Sequence, residues 1–197
     1  NYKVIFNQEH LPSTVINYFY NMADVTVNFS SAEGFGLGIA ESIMAGTMVI
    51  APVHGGLQDQ MAFRSSDGKL FFNNEQITSN VNNVYPNHGS WVLPIFPRAK
   101  QLQGSVYTPY IYDYCCDADD LAYKLSVAYR MTPEDRKRRG LEGRDWMLSD
   151  ESKMSHDVMC KDFVESVNFL LNNWVPKPKY TLKKVTKPKT TETVGIL

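Results

Sequence analysis

The order of elements between residues 25 and 51 constrains this chain more than any other feature. Val25-Thr26-Val27-Asn28-Phe29 is short and β-branched, as a strand is. A polar, glycine-rich loop follows from Ser30 to Gly38. Ile39 to Ala45 reads as a helix that Gly46 stops. Met48-Val49-Ile50-Ala51 is an apolar run of buried-strand length, closed by Pro52. Upstream, Lys3-Val4-Ile5-Phe6 reads as another buried strand. Pro12 and Ser13 open a helix with Val15, Ile16, Phe19, Tyr20 and Met22 at helical spacing. Strand, helix, strand, helix, strand with short links predicts βαβ units and a parallel sheet.

The rest of the chain is less regular. From residue 55 to 113 the periodicity weakens into a long excursion, with Phe71, Phe72, Trp91, Val92, Ile95 and Phe96 set among Asn, Gly and Pro. Helical signals then return. Asp117 caps a helix whose expected inner face is Leu121, Leu125, Ala128 and Tyr129. Thr132-Pro133-Glu134-Asp135 combines a capping Thr, a Pro at the first helical position and two acids for the macrodipole, so residues 133–148 are predicted helical. Residues 152–174 read as a long amphipathic helix through Met154, Val158, Phe163, Val167 and Leu170 or Leu171. These elements make one body over residues 1–174. Residues 175–197 carry six lysines and one glutamate, a net +5, with three prolines. They read as an extended tail, either a solvated extension or a weak contact for an anionic surface.

Composition sets outer limits. The chain has 197 residues, room for one large domain or two small ones. It is 43% apolar and 21% charged with net charge −1, which excludes a wholly disordered chain and a histone-like nucleic-acid binder. No run approaches the roughly 18 apolar residues of a membrane span. Cys115, Cys116 and Cys160 fit neither a disulfide framework nor a zinc site, so reduced thiols in the cytoplasm are expected. The chain begins at Asn1, without Met or a visible leader, and is expected to be a piece of something longer.

The loop from Asn28 to Glu41 holds the chemistry. Ligands of open α/β sheets bind beyond the carboxyl ends of the strands. Gly34, Gly36 and Gly38 let backbone approach a ligand, and the following helix N-terminus offers free N–H groups to a phosphate. Glu33 before the glycines and Glu41 one turn into the helix are acceptors for hydroxyls. An anion site between two acceptors suits a nucleotide sugar. A plain helix-capping loop fits the same residues. A dinucleotide fingerprint remains open too, although G-x-G-x-G is not G-x-G-x-x-G and the glycines lie late after the strand.

Ala23-Asp24-Val25, Ser30-Ser31-Ala32-Glu33-Gly34-Phe35-Gly36-Leu37, Glu41, Ala45-Gly46-Thr47, Val49-Ile50-Ala51 and Gly55-Gly56 together resemble the retaining glycosyltransferases of the GT-B fold, family 4 type. The spacing of Glu33 and Glu41 matches that family's E-x7-E motif. The resemblance is dense over residues 1–62 and looser over 90–174. It implies a Rossmann-like sheet with flanking helices, the C-terminal donor-binding half of a GT-B fold with a helical C-terminal end. It implies that Glu33 contacts donor-sugar hydroxyls and is the catalytic-site glutamate. Gly34, Phe35, Gly36, Leu37 and Gly38 match the loop at donor sugar and phosphate, and Glu41 matches the glutamate on the nucleotide ribose. Asn7, His10 and Leu11 match the nucleobase edge, and His54, Gly55 and Gly56 match a second loop near the site.

The resemblance further implies sugar transfer from a nucleotide diphosphate to an acceptor hydroxyl with retention, and no metal or other cofactor. It implies a preceding acceptor domain or subunit as partner; the cytoplasmic location expected from the cysteines, or a membrane-peripheral one through the lysine-rich tail, does not come from it. Departures are Gly38 where the family usually has Pro, and Gln58-Asp59-Gln60 where a Glu often follows the double glycine. The alternatives are a non-catalytic nucleotide-binding or subunit-interaction module, and a GT-B epimerase or phosphorylase.

The remaining polar residues have plainer expected roles. Asp117-Ala118-Asp119 spells D-x-D but opens a helix, so capping is expected. His10, His88 and His156 are expected on the surface, Arg98 and Lys100 in a solvated loop, and Arg136 to Arg139 on an exposed helical face. Tyr107, Tyr110, Tyr112 and Tyr114 are expected to pack the excursion, with an aromatic carbohydrate platform as the other reading.

Overall fold

The computed structural model describes residues 3–70, 87–107 and 110–177. The structure is α/β. Helix α1 (Ser13–Met22) leads to β1 (Val25–Val27), α2 (Leu37–Met44) and β2 (Met48–Pro52). A 3-10 helix covers Gly55–Met61, and β3 is Val92–Ile95. A hairpin of β4 (Ala99–Gln103) and β5 (Ile111–Cys115) precedes α3 (Ala118–Arg130), α4 (Pro133–Leu148) and α5 (His156–Asn173). The chain divides into two compact units, Asn1–Asp162 and Phe163–Leu197.

In the first unit β1, β2 and β3 form a parallel sheet in that order, with Val25 opposite Met48 and Val49 opposite Val92. All five residues of β2 are buried, as a central parallel strand requires. Alternation along β2 feeds two cores. Val49 and Ala51 join Ile39, Ile43, Leu57, Trp146 and Met147, under α2 and α4. Met48 and Ile50 join Leu93, Ile95 and Ala128, under α3. The result is helix, sheet, helix in three layers.

The local signals work where they are chemical. Thr132 Oγ1 accepts from the Asp135 N–H at 3.1 Å, and α4 spans the predicted residues. Asp117 accepts from the Asp119 N–H at 2.8 Å, so the D-x-D letters are a cap. Gly46 takes φ +84° past the end of α2, a conformation that side chains disfavour.

Other expectations are corrected. Val4, Ile5 and Phe6 are exposed and form no strand. A strand needs a hydrogen-bonding neighbour and a covered face, and among the described residues β1 pairs only with β2. On α3, Leu125 and Tyr129 point to solvent, while Val127 and Leu121 pack on the core. The excursion contains the third parallel strand, whose partner β2 lies some 40 residues earlier, beyond the reach of local periodicity. His88 is half-buried, edge-on to Phe63, rather than at the surface. Tyr107, Tyr110 and Tyr112 are exposed and do not pack the excursion. Arg136 is mostly covered, bonding the Met131 carbonyl at 2.6 Å and Asp24 at 3.0 Å.

In the second unit the described residues are the end of α5 and the extended residues 174–177. Phe163, Phe169, Leu171 and Trp174 are all exposed. Phe71, Phe72 and residues 178–197 of the lysine-rich tail lie outside the described residues.

Candidate functional site

The glycine loop leaves the carboxyl end of β1 and is held from three sides. Asn28 is its first anchor: its Oδ1 accepts from the Ser30 N–H and hydroxyl, both at 2.8 Å, and its Nδ2 donates to Glu33 Oε1 at 3.3 Å. His54, after β2, is the second, with Nε2 2.9 Å from the Ser30 carbonyl. Gln60, in the 3-10 helix, is the third, donating to the Phe35 carbonyl at 2.5 Å. The Gly56 N–H adds a bond to the Gly34 carbonyl at 3.1 Å.

This contact leaves no room for side chains. A Cβ on Gly55 would stand 2.1 Å from the Glu33 carbonyl oxygen, and Gly55 has φ +51°. A Cβ on Gly36, which caps α2 at φ +86°, would stand 2.3 Å from Leu57 Cδ2. The Gly36 carbonyl accepts from the Ile39 N–H at 3.0 Å and the Ala40 N–H at 3.2 Å. By helix geometry the N–H groups of Leu37 and Gly38 have no acceptor inside α2 and face outward with the positive end of the dipole.

Consecutive loop residues line two different cavities. Phe35 borders a groove of about 600 Å³ with Tyr20, Glu41, Met44, Met154 and His156. Gly34 borders a cleft of about 360 Å³ with Glu33, His54, Gly55, Tyr112 and Tyr114. Glu33 and Glu41 therefore serve separate spaces on either side of the loop. Tyr20 hydrogen-bonds Glu41, and burial followed by that bond raises the phenol above its ordinary range.

Burial pushes the His54 imidazole below its ordinary value, against the Ser30 carbonyl and the charges of Glu33 and Asp113. Burial does the same at His88, against the Gly89 carbonyl. Both rings are therefore harder to protonate folded than unfolded. As pH falls through about 6.5 the unfolded chain takes protons that the folded chain refuses, so stability declines until the folded values are reached. The melting temperature is expected to drop between about pH 7.5 and about pH 5.5. His54→Gln, whose amide replaces the Nε2–H donor, should flatten that slope; an unchanged profile would exclude His54 as a source.

Of the residues the sequence singles out, Glu33, Gly34, His54 and Gly55 meet in one cleft. Phe35 and Glu41 meet in the other, with Gly36, Leu37 and Gly38 between them at the head of α2. Gly56 backs the loop. Asn7, His10 and Leu11 line neither cavity; Asn7 and His10 are exposed, and Asn7 bonds the nearby Glu9 backbone. Tyr20, Asn28 and Gln60 were not singled out. Asn28 had a signal, a polar residue at a strand end. Gln60 had none, because it acts on residues 25 positions away.

The cysteines are unpaired, and burial, with Cys115 beside it, pushes the Cys116 thiol up to about 11. Among the described residues no three His, Cys, Asp or Glu side chains gather as metal ligands, and no helix is long and apolar enough to cross a membrane.

No curated protein matches the chain. Residues 2–85 match the family described as glycosyl transferases group 1, a stretch holding the loop, both glutamates and the double glycine.

Proposed function

We propose that this chain binds a nucleotide-diphosphate sugar across the glycine loop and transfers the sugar, with retention, to an acceptor hydroxyl supplied through an N-terminal domain or subunit. The observation that carries this reading is the division of the loop between two cavities, one glutamate in each, with the head of α2 between them. The nucleoside occupies the larger groove, where Glu41 accepts from the ribose hydroxyls and Phe35 and Met44 offer apolar surface. The diphosphate lies at the N–H groups of Leu37 and Gly38. The sugar enters the cleft beside Glu33.

In the reaction the bond from the anomeric carbon to the diphosphate oxygen breaks and its electron pair leaves with that oxygen, while the acceptor oxygen bonds the same carbon and its proton passes to the departing phosphate. Charge therefore grows where the helix end is positive, the arrangement that stabilises a departing anion. Glu33, fixed by Asn28, orients the sugar hydroxyls. No metal is required in this reading.

Calorimetric titration with UDP, GDP, ADP and their hexose conjugates tests it. Glu41→Ala should weaken the preferred nucleotide by roughly ten- to a hundredfold, the value of hydrogen bonds to a charged group. Gly34→Ala is the sharper probe. A Cβ there meets nothing within 4 Å and its φ is not left-handed, so the fold should be indifferent. If a ligand occupies that space, affinity should fall about tenfold or more while the melting temperature holds. Equal affinity in all three proteins, or no binding by a folded chain in its longest natural form, overturns the reading. Binding without turnover would favour a non-catalytic module.

A further inference from the structure

We propose that the β4–β5 hairpin completes a saccharide subsite beside Glu33, with the Tyr112 ring as its platform. The proposal rests on the nucleotide-sugar reading only for which saccharide reaches it. Tyr112 and Tyr114 alternate along β5 and share one face of the hairpin, opposite Leu102 and Lys100. Tyr114 is fixed. Its N–H donates to the Ser31 carbonyl at 2.8 Å, and its ring stacks on His54 with centres 4.8 Å apart and planes 13° apart. The Lys100 ammonium lies 4.8 Å from the same ring centre. The hairpin is thereby pinned to the glycine loop, and Tyr112, two residues earlier, stands 61% exposed at the mouth of the cleft.

The chemistry around Tyr112 selects the ligand. His54 is 1% exposed, and its Nε2 faces a carbonyl, so that nitrogen carries the hydrogen and Nδ1 is the acceptor. That Nδ1 is buried and has no partner among the described residues. Glu33 lines the same cleft and adds carboxylate oxygens. The charges that act on His54, those of Glu33 and Asp113, are negative, and the Lys100 ammonium lies on the far partner of its stack, the Tyr114 ring. The cleft thus offers an aromatic face and the Glu33 carboxylate as a hydrogen-bond acceptor. A pyranose ring complements both: its C–H face lies against an electron-rich ring, and its hydroxyls donate to the carboxylate. The volume of about 360 Å³ falls at the small end of ligand pockets.

Two sources share this chemistry, the hexose of a nucleotide sugar and a saccharide acceptor. The test uses the full chain and calorimetry or saturation-transfer NMR, with two arms. One arm compares UDP-glucose and GDP-mannose with UDP and GDP. The other uses methyl glucoside, methyl mannoside, methyl galactoside and maltotriose. Because Tyr112 is exposed, Tyr112→Ala and Tyr112→Phe should both fold. Tyr112→Ala should lose about five- to tenfold in saccharide affinity, Tyr112→Phe should retain it, and UDP and GDP should bind all three proteins alike. A loss confined to the sugar conjugates identifies the donor hexose; a loss with free glycosides identifies an acceptor. A chain that takes nucleotides but gains nothing from any saccharide, or a Tyr112→Ala protein equal to wild type in both arms, overturns the subsite. Glycoside binding sensitive to Tyr112 without any nucleotide binding overturns the nucleotide-sugar reading and leaves the subsite standing.

Discussion

On the proposed function, Gly56→Ala is expected to cost about tenfold or more in nucleotide-sugar affinity, because it displaces the loop that would bind. Gly56 has no unusual φ; its constraint is contact. A Cβ would stand 2.3 Å from the Gly34 carbonyl oxygen and 2.6 Å from the Phe35 Cα. Both are backbone atoms and cannot rotate away. The loop must move outward, and the Gly56 N–H bond to Gly34 at 3.1 Å goes with it. Gln60 and His54 hold the neighbouring carbonyls, so the displacement opposes their bonds as well. Overpacking of this kind costs about 1–3 kcal/mol in stability. Titration beside thermal unfolding checks both effects. Gly34→Ala serves as the control that should change binding without stability. Unchanged affinity in a folded Gly56→Ala protein would mean that the loop position is not what binds.

The second large effect is on the fold. Gly140 lies in α4 where the helix crosses the turn between α2 and β2. A Cβ there would stand 1.9 Å from the Gly46 carbonyl oxygen and 2.7 Å from its carbon. Alanine returns about 1 kcal/mol of helix propensity. Backbone-on-backbone overpacking costs about 3 kcal/mol or more where nothing can rotate. The net loss expected is about 2 kcal/mol, a fall of about 4–8 °C in melting temperature for a chain of this size. Because α4 carries Trp146 and Met147 into the core over Val49 and Ala51, the loss should appear in global unfolding. A melting temperature within about 1 °C of wild type would show that α4 shifts without cost.

The sequence resolves those parts of this protein whose causes are local. The caps Asp117 and Thr132, the stop at Gly46 and the β-branched Val25 to Val27 act within a few residues, so their elements stand where they were read. The two glutamates and three glycines of the loop were legible for the same reason: strand end, loop and helix start are contiguous. Residues 3–6 show the limit. An apolar run supplies a strand's propensity but not its neighbour, and without pairing and cover the run stays irregular and exposed. Leu125 and Tyr129 show a second limit. The 3.6-residue period says that α3 has an apolar stripe, not which edge of it the sheet will take.

Tertiary structure decided the site itself. Gly55 and Gly56 press on Glu33 and Gly34, Gln60 holds Phe35, and Tyr114 bonds Ser31 from a hairpin more than 80 residues away. None of these pairs has a sequence period, because each is made by β2 lying between β1 and β3 and bringing the carboxyl ends of the parallel strands to one edge. What the chain determined by itself was which residues can approach closely, accept hydroxyls or cap a helix, since those are properties of side chains and of their absence. Which of them meet, and that Glu33 and Glu41 open onto separate cavities, was decided by packing, since contact between distant residues is a property of the assembled layers.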